Sequence, residues 1–277
     1  MVNTPEYRTL IGPGELAECI DQVVIFDVRF SLADTQAGRQ LYQAGHLPKA
    51  HFLDLDGDLS GPVGPGTGRH PLPDPVELGT KLAAAGVNSE AQVVAYDDSH
   101  GAFAARLWWL LRWLGHDRVA VLNGGCAGWQ AAGLPLATAL PQPEPGQFQP
   151  QLRHDLVVSS EALADLLEQS GTTLIDARGA QRFRGEEEPI DPVAGHIPGA
   201  INLPFAANLD DSGKFLPAEQ LRQRHEHRQA IHMCGSGVTA CHNILASCHA
   251  GNELPRLYVG SWSEWITDDR RPVATGE

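Results

Sequence analysis

A cysteine surrounded by small residues marks the place in this sequence that best supports covalent chemistry. Residues 231–240 have the sequence IHMCGSGVTA, in which Cys234 ends a short apolar run and is followed by Gly235 and Gly237. This pattern predicts a strand, a glycine-rich loop and a helix that begins at Val238. The first N–H groups of a helix have no partner within it and favour negative charge. Cys234 is therefore predicted to be a thiolate nucleophile at an anion-binding loop.

Three other roles for the cysteines in this part of the sequence are less well supported. A buried structural thiol is the commonest fate of a free cysteine, but the flanking glycines favour a loop that approaches a ligand. A cysteine phosphatase needs an arginine at the position where this chain has Ala240. A zinc site built from Cys241 and Cys248, each followed by a histidine, is disfavoured because this spacing separates the pairs by about 10 Å along a helix. The sequence predicts no metal.

An anion site also requires positive charge, which is scarce in a chain with a formal net charge of -14. Arg178 and Arg182 follow an apolar run that ends at Asp176. The carboxyl ends of parallel strands meet at one edge of a sheet, so these arginines are expected near Cys234. We predict that Arg182 binds the substrate and that Arg178 is structural. The same net charge argues against nucleic acids and anionic membrane surfaces as partners.

The elements that carry these residues occur twice in the chain. Residues 27–29 (DVR) recur as residues 176–178 (DAR), and residues 45–48 (GHLP) recur as residues 195–198 (GHIP). Two matches in the same order indicate an internal duplication. The histidines of the two matched turns are expected to share a structural role, in which they bond the backbone of a loop.

The duplication extends to the cysteine loop. Residues 93–102 align with it through Gly101 and Gly237, which places Asp98 at the position of Cys234. Prolines alternate through the stretch between the halves and predict an extended linker. The sequence therefore predicts an α/β protein with two tandem domains, each a mostly parallel sheet flanked by helices: residues 1–140 without the thiol, a linker at residues 141–155 and a catalytic domain at residues 156–277.

The number and spacing of the cysteines, together with the hydropathy, indicate the cellular compartment of the protein. The five cysteines are odd in number and have no paired spacing, which is typical of a reducing cytoplasm. No apolar run approaches the ~20 residues that span a bilayer. We expect a cytoplasmic protein that acts on small molecules.

The whole chain resembles the tandem rhodanese-type sulfurtransferases. It shares with them Asp-x-Arg and Gly-His-[Ile/Leu]-Pro in both halves, a cysteine loop in the second half only, and Trp-Ser-Glu-Trp at residues 262–265. Residues 234–240 look like the loop of the 3-mercaptopyruvate sulfurtransferases. The resemblance implies an enzyme that moves a sulfane sulfur from thiosulfate or 3-mercaptopyruvate to cyanide or a thiol. The sulfur would travel as a persulfide on Cys234, without a metal or an organic cofactor.

The resemblance also implies roles for individual residues. Arg182 matches the arginine that binds the substrate in this family. Ser236 matches a serine that assists 3-mercaptopyruvate chemistry together with a histidine and an acidic residue of the first domain, for which His46 and Asp34 are the best matches. The persulfide would be held by loop backbone at Gly235, Gly237, Val238 and Thr239.

The segment after Arg182 departs from the family pattern. Relatives that use 3-mercaptopyruvate carry a second arginine shortly after the first, whereas residues 186–192 here are EEEPIDP. The carboxylate of a keto acid then loses a bidentate partner. We therefore predict that both donors are used, with a weaker preference for 3-mercaptopyruvate than the loop indicates. The other interpretation is a sulfur carrier or interaction module that forms the persulfide but turns over small molecules slowly.

Overall fold

The computed structural model describes residues 6–167, 171–227 and 229–277. The chain divides into two compact units. Unit 1 comprises residues 1–60, 73–153 and 211–214, and unit 2 comprises residues 61–72, 154–210 and 215–277.

Unit 1 is built from short strands that alternate with helices. Its strands are β1 (Leu10–Ile11), β2 (Val23–Asp27), β3 (His51–Phe52), β4 (Gln92–Tyr96) and β5 (Val119–Leu122). Its helices are α1 (Pro13–Cys19), α2 (Ala37–Ala44), α3 (Pro75–Ala84), α4 (Ala104–Trp113) and α5 (Gly125–Ala131).

Unit 2 repeats this plan. Its strands are β6 (Val157–Val158), β7 (Thr173–Asp176), β8 (Ile201–Asn202), β9 (Ala230–Met233) and β10 (Arg256–Tyr258). Its helices are α6 (Ser160–Leu167), α7 (Ala180–Arg184), α8 (Ala218–Arg224), α9 (Thr239–His249) and α10 (Ser261–Trp265).

The two sheets have the same topology. Strand order is β1-β5-β4-β2-β3 in unit 1 and β6-β10-β9-β7-β8 in unit 2, and every pairing between these strands is parallel. The central strands β4 and β9 are buried along their whole length, as expected of strands covered on both faces. The predicted α/β fold, with two similar parallel sheets, is confirmed. In both units the loop that leaves the central strand leads directly into a buried helix.

The unit boundaries differ from the predicted domain boundaries. Residues 61–72, predicted within the first domain, belong by their contacts to unit 2. The first part of the predicted linker packs along unit 1, where Gly146 N donates to Ala83 O at 2.8 Å and Gln151 N donates to Leu114 O at 2.9 Å. Neither segment has a hydrophobic period, so only long-range contacts assign it to a unit.

Strand register corrects the predicted counterpart of Cys234. Asp27 pairs with Tyr96 in unit 1, and the matching Asp176 pairs with Met233 in unit 2, so the residues after these partners correspond: Asp97 and Cys234. The glycines used for the sequence alignment do correspond, with φ of +88° at Gly101 and +77° at Gly237. The loop of unit 1 has one more residue before its glycine. The prediction that Asp98 occupies the cysteine position is therefore wrong by one residue.

Within the described residues, no helix is both long enough and apolar enough to cross a membrane.

Candidate active site

Cys234 lies directly after β9 and its residue is only 2 % exposed. Its N–H donates to Ser261 Oγ at 3.1 Å, and its carbonyl accepts from Trp262 N at 3.0 Å. Ser261 has a φ of +53°, a left-handed conformation that is uncommon for serine. The corresponding residue in the matching turn of unit 1 is Gly125, which has nearly the same φ. The start of α10 therefore fixes the backbone on which the thiol stands.

Gly237 turns the chain from the cysteine into helix α9, which begins at Thr239. Its φ of +77° is a conformation that favours glycine. A Cβ atom at this position would lie 2.4 Å from Val259 O, so space as well as conformation requires glycine. The predicted sequence of strand, glycine-rich loop and helix is confirmed.

Backbone N–H groups of the cysteine loop point to no acceptor in the described part of the chain. Four backbone N–H groups between the cysteine and the first turn of α9 make no hydrogen bond among the described residues. They belong to Gly235, Ser236, Val238 and Thr239. Buried N–H groups are nearly always paired in folded proteins. A set of unpaired donors beside a thiol is the expected form of a site for an anion on that thiol.

In the matching loop of unit 1, the carboxylate of Asp97 takes the place of such an anion. Asp97 is fully buried, and its carboxylate accepts four loop N–H groups. Oδ1 accepts from Ser99 and Gly101 at 2.9 and 2.8 Å. Oδ2 accepts from Phe103 and Ala104, both at 2.8 Å. The same backbone design thus binds a negative group that stands at the cysteine position.

Ser236 has a histidine partner that the sequence did not reveal. His70 Nδ1 lies 2.7 Å from Ser236 Oγ, and both residues are buried. His70 belongs to residues 61–72, which are part of unit 2. The neighbouring Arg69 anchors this segment, because its N–H donates to Ser263 Oγ at 3.0 Å. The only sequence signal for His70 was its place in a long loop rich in glycine and proline.

His46 is not placed as the family resemblance implied. It lies fully buried in unit 1, with Nδ1 2.8 Å from Tyr42 O and Nε2 3.2 Å from Ala139 O. His196 has the same setting in unit 2, with Nδ1 2.7 Å from Phe183 O. Both histidines bond loop backbone, as their matched turns predicted. The catalytic role for His46 is corrected, because both of its ring nitrogens are engaged by backbone carbonyl groups.

Asp34, the acidic residue implied beside that histidine, lies exposed before α2 in unit 1. Its carboxylate accepts from Gln36 N at 3.0 Å, and its carbonyl accepts from Ala37 N at 3.0 Å. These bonds give it a local role as a turn residue.

Arg178 has the structural role that the sequence predicted. Its Nε and Nη2 bond the carboxylate of Asp176, at 3.0 and 2.6 Å from Oδ2, and Nη2 also donates to Gly195 O at 2.7 Å. Arg29 makes the same bonds to Asp27 and Gly45 O in unit 1, at the same distances. The Asp-x-Arg motif therefore joins a strand end to the Gly-His-x-Pro turn in both units.

Arg182 is held by the acidic segment that follows it. Its Nε and Nη2 donate to Glu188 at 3.0 and 2.7 Å, and Nη2 also donates to Asp191 Oδ2 at 3.1 Å. The other oxygen of Asp191 accepts from Arg69 Nη1. Burial lowers the pKa of the Arg69 guanidinium, a shift that the neighbouring Cys234 opposes. Arg69 remains charged in any such setting, so two guanidinium groups stand beside the cysteine loop.

Candidate metal ligands are not grouped in this region. In residues 6–167, 171–227 and 229–277, no cluster of three or more His, Cys, Asp or Glu side chains is arranged to hold a metal ion.

Comparison with known proteins agrees with this architecture. The model of the family described as "Rhodanese-like domain" matches residues 13–132 and 159–268. A probable 3-mercaptopyruvate sulfurtransferase from Pseudomonas aeruginosa is 55% identical over 264 residues, which cover 92% of this chain and 93% of the relative. A putative thiosulfate sulfurtransferase from Mycobacterium tuberculosis is 40% identical, and the alignment covers 97% of this chain and 98% of the relative.

A solved structure of a sulfurtransferase has the same fold as this chain. The 3-mercaptopyruvate sulfurtransferase from Leishmania major superimposes with a TM-score of 0.83 and 34% sequence identity, over 96% of this chain and 76% of that one. The chain therefore belongs to the rhodanese-like sulfurtransferases and carries two rhodanese-like domains.

Proposed function

We propose that Cys234 is the residue through which this sulfurtransferase moves sulfur, from thiosulfate or 3-mercaptopyruvate to cyanide or a thiol. The thiolate attacks the outer sulfur of the donor, and the bond from that sulfur to the rest of the donor breaks. Sulfite leaves from thiosulfate, or the enolate of pyruvate leaves from 3-mercaptopyruvate. The Cys234 persulfide then gives its terminal sulfur to the acceptor, which restores the thiolate and completes a two-step, ping-pong cycle.

The observation that carries this proposal is the correspondence between Asp97 and Cys234. A carboxylate oxygen of aspartate and the terminal sulfur of a cysteine persulfide stand the same number of bonds from Cα, and both are anionic. In unit 1 four loop amides bond the two oxygens of this carboxylate, two amides to each oxygen. In unit 2 the shorter cysteine leaves the N–H groups of Gly235, Ser236, Val238 and Thr239 without an acceptor among the residues that the structure describes. A persulfide adds one sulfur atom to the side chain of Cys234, and this anionic atom is the acceptor that the loop N–H groups lack.

The neighbouring side chains have separate proposed roles. Gly235, Gly237, Val238 and Thr239 present the loop backbone to the persulfide. Arg182 binds the anionic end of the donor. Ser236, oriented by His70, serves the chemistry of 3-mercaptopyruvate.

A mass measurement tests the proposal. Incubation of the intact protein with thiosulfate or 3-mercaptopyruvate is expected to add one sulfur atom, which cyanide then removes as thiocyanate. Cys234→Ser should abolish the adduct, whereas Cys248→Ser, which alters a less buried thiol in α9, should keep it. An adduct that persists in Cys234→Ser would falsify the proposal.

We propose the cytoplasm as the place of this reaction. None of the five cysteines, all of which lie in the described part of the chain, forms a disulfide, and reduced cysteines are typical of reducing compartments. The net charge of -14 supports small molecules, rather than nucleic acids, as partners.

A further inference from the structure

Two arginine side chains reach the residue that follows the nucleophile. A Cβ atom built on Gly235 would lie 2.9 Å from Nη2 of Arg69, and 3.6 and 3.7 Å from Nη2 and Nη1 of Arg182. Gly235 therefore leaves the space that the two guanidinium groups occupy. Arg182 comes from helix α7, as the sequence predicted, whereas Arg69 comes from residues 61–72.

The backbone of Arg69 is held on both sides. Arg69 N donates to Ser263 Oγ at 3.0 Å. At the preceding residue, Gly68, a Cβ atom would lie 2.6 Å from Gly260 O, so the segment runs close against the start of α10. The same helix holds the backbone of Cys234. Arg69 and the nucleophile are thus positioned by one element.

Asp191 sets the direction of the Arg69 side chain. One carboxylate oxygen of Asp191 accepts from Arg69 Nη1, and the other accepts from Arg182 Nη2 at 3.1 Å. The side chain of Asp191 is 3 % exposed, so water competes little for these bonds. One buried carboxylate therefore aligns two guanidinium groups side by side.

Arg69 differs from the other two arginines in what it leaves unbonded. Arg178 and Arg182 both use the Nε and Nη2 edge of the guanidinium on carboxylates of their own chain. Arg69 uses only Nη1. Its Nε is buried, and neither Nε nor Nη2 has a hydrogen-bond partner among the described residues. This edge is the one that binds two oxygens of a carboxylate or a sulfonate together.

We propose that Arg69 is the second guanidinium of the donor site. Its Nε and Nη2 edge binds two oxygens of the donor's anionic end, and Nη1 of Arg182 binds from the other side. The oxyanion is the carboxylate of 3-mercaptopyruvate or the sulfonate-like end of thiosulfate. This inference rests on the proposed function of Cys234. Arg69, which lies in a different segment, would then be the bidentate partner of the donor oxyanion that residues 186–192 do not supply.

Hydrogen-bond geometry, rather than net charge, makes this site select its ligand. The positive charges of Arg69 and Arg182 are balanced by Glu188 and Asp191, which pair with them. A lysine at position 69 would keep the charge but has no planar fork. Arg69→Lys should therefore resemble Arg69→Gln more than the wild type.

Steady-state kinetics with cyanide as acceptor test the proposal for each donor separately. For Arg69→Gln and Arg69→Lys we expect KM to rise about tenfold to hundredfold, since a bidentate, charge-assisted contact is lost. We expect kcat to change much less. Arg184→Gln removes an arginine of the same helix as Arg182 that pairs with Glu186, and it should leave both constants unchanged. A rise for one donor only identifies the donor whose oxyanion Arg69 binds.

Persulfide formation separates this inference from the function on which it rests. Wild-type protein that gains no sulfur from saturating donor overturns the function itself. Wild-type protein that forms the persulfide, with an unchanged KM in Arg69→Gln, overturns the role of Arg69 alone. A fall in kcat at unchanged KM also overturns it.

Gly235→Ala provides a second variant in case Arg69→Gln is unstable. The added methyl group would displace Arg69 Nη2, and Gly235 does not have the positive φ that would strain alanine. KM should rise again, while the thermal unfolding midpoint stays near that of the wild type. A normal KM in a folded Gly235→Ala variant counts against the proposal.

Discussion

His70 Nδ1 lies 2.7 Å from Ser236 Oγ, so a histidine far from the catalytic loop in sequence orients a hydroxyl two residues after Cys234. The two donors make different demands on this pair. Loss of sulfur from 3-mercaptopyruvate leaves the enolate of pyruvate, which needs a proton to become the product. Loss of sulfur from thiosulfate leaves sulfite, which needs none. A serine and histidine pair is therefore useful to one donor reaction and not to the other.

Ser236→Ala and His70→Gln should separate these reactions. With 3-mercaptopyruvate we expect kcat to fall about 10²-fold or more, the usual range for loss of a positioned proton-transfer group. With thiosulfate the fall should stay below about tenfold, because only packing beside the loop is altered. Steady-state rates with cyanide provide the measurement. Equal losses with both donors would show that the pair shapes the loop rather than moving a proton.

The sequence predicted the central elements of the fold because their signals are local. The apolar runs that lead to Asp176 and Cys234 identified β7 and β9, and the helix predicted to begin at Val238 is observed as Thr239–His249. The Asp-x-Arg and Gly-His-x-Pro motifs also kept their predicted structural roles, because each closes within its own unit.

The remainder of the site depends on contacts between residues far apart in sequence. Arg69 and His70 lie in a stretch without periodicity, and only the bonds to Ser263 and Ser236 place them beside the cysteine. The counterpart of Cys234 was misplaced by one residue because a shared glycine fixes the end of a loop, not its length. Strand register, which sequence does not display, identified Asp97.

Asp97→Ala should destabilise unit 1 without a direct effect on sulfur transfer. The substitution removes the acceptor of four N–H groups, of which those of Gly101 and Ala104 make fully buried bonds. We expect the free energy of unfolding to fall by about 3 kcal/mol, since each of the two fully buried donors left without a partner costs about 1–3 kcal/mol and the two part-buried donors regain water. Denaturant unfolding measures the change. Asp98→Ala is the matched control, because Asp98 is exposed and its loss should cost less than about 0.5 kcal/mol. Similar losses for the two variants would contradict the register.

Gly237→Ala should be costly for steric reasons beyond its φ. Gly199 has nearly the same φ, +81° against +77°, but a Cβ atom there would meet nothing within 4 Å, whereas at Gly237 it would lie 2.4 Å from Val259 O. Gly199→Ala should therefore cost about 1–2 kcal/mol, the ordinary penalty of a left-handed alanine. Gly237→Ala should cost about 2 kcal/mol more and slow persulfide formation. Unfolding free energies that agree within error would exclude the steric clash.

Acid should destabilise the protein through two buried histidines of unit 2. Burial lowers the pKa of His232 to about 3 and that of His225 to about 4, from an ordinary value of 6.5, and the Nδ1 atom of each has no hydrogen-bond partner among the described residues. Because the unfolded chain binds these protons first, stability is constant above pH ~7 and falls as the pH drops from ~6.5 towards ~4, by about 1.4 kcal/mol per pH unit for each histidine. Denaturant unfolding at a series of pH values measures this slope. His232→Leu should reduce it by about one proton, whereas the exposed His154→Gln should leave it unchanged. A slope that His232→Leu does not alter would assign the acid sensitivity to other groups.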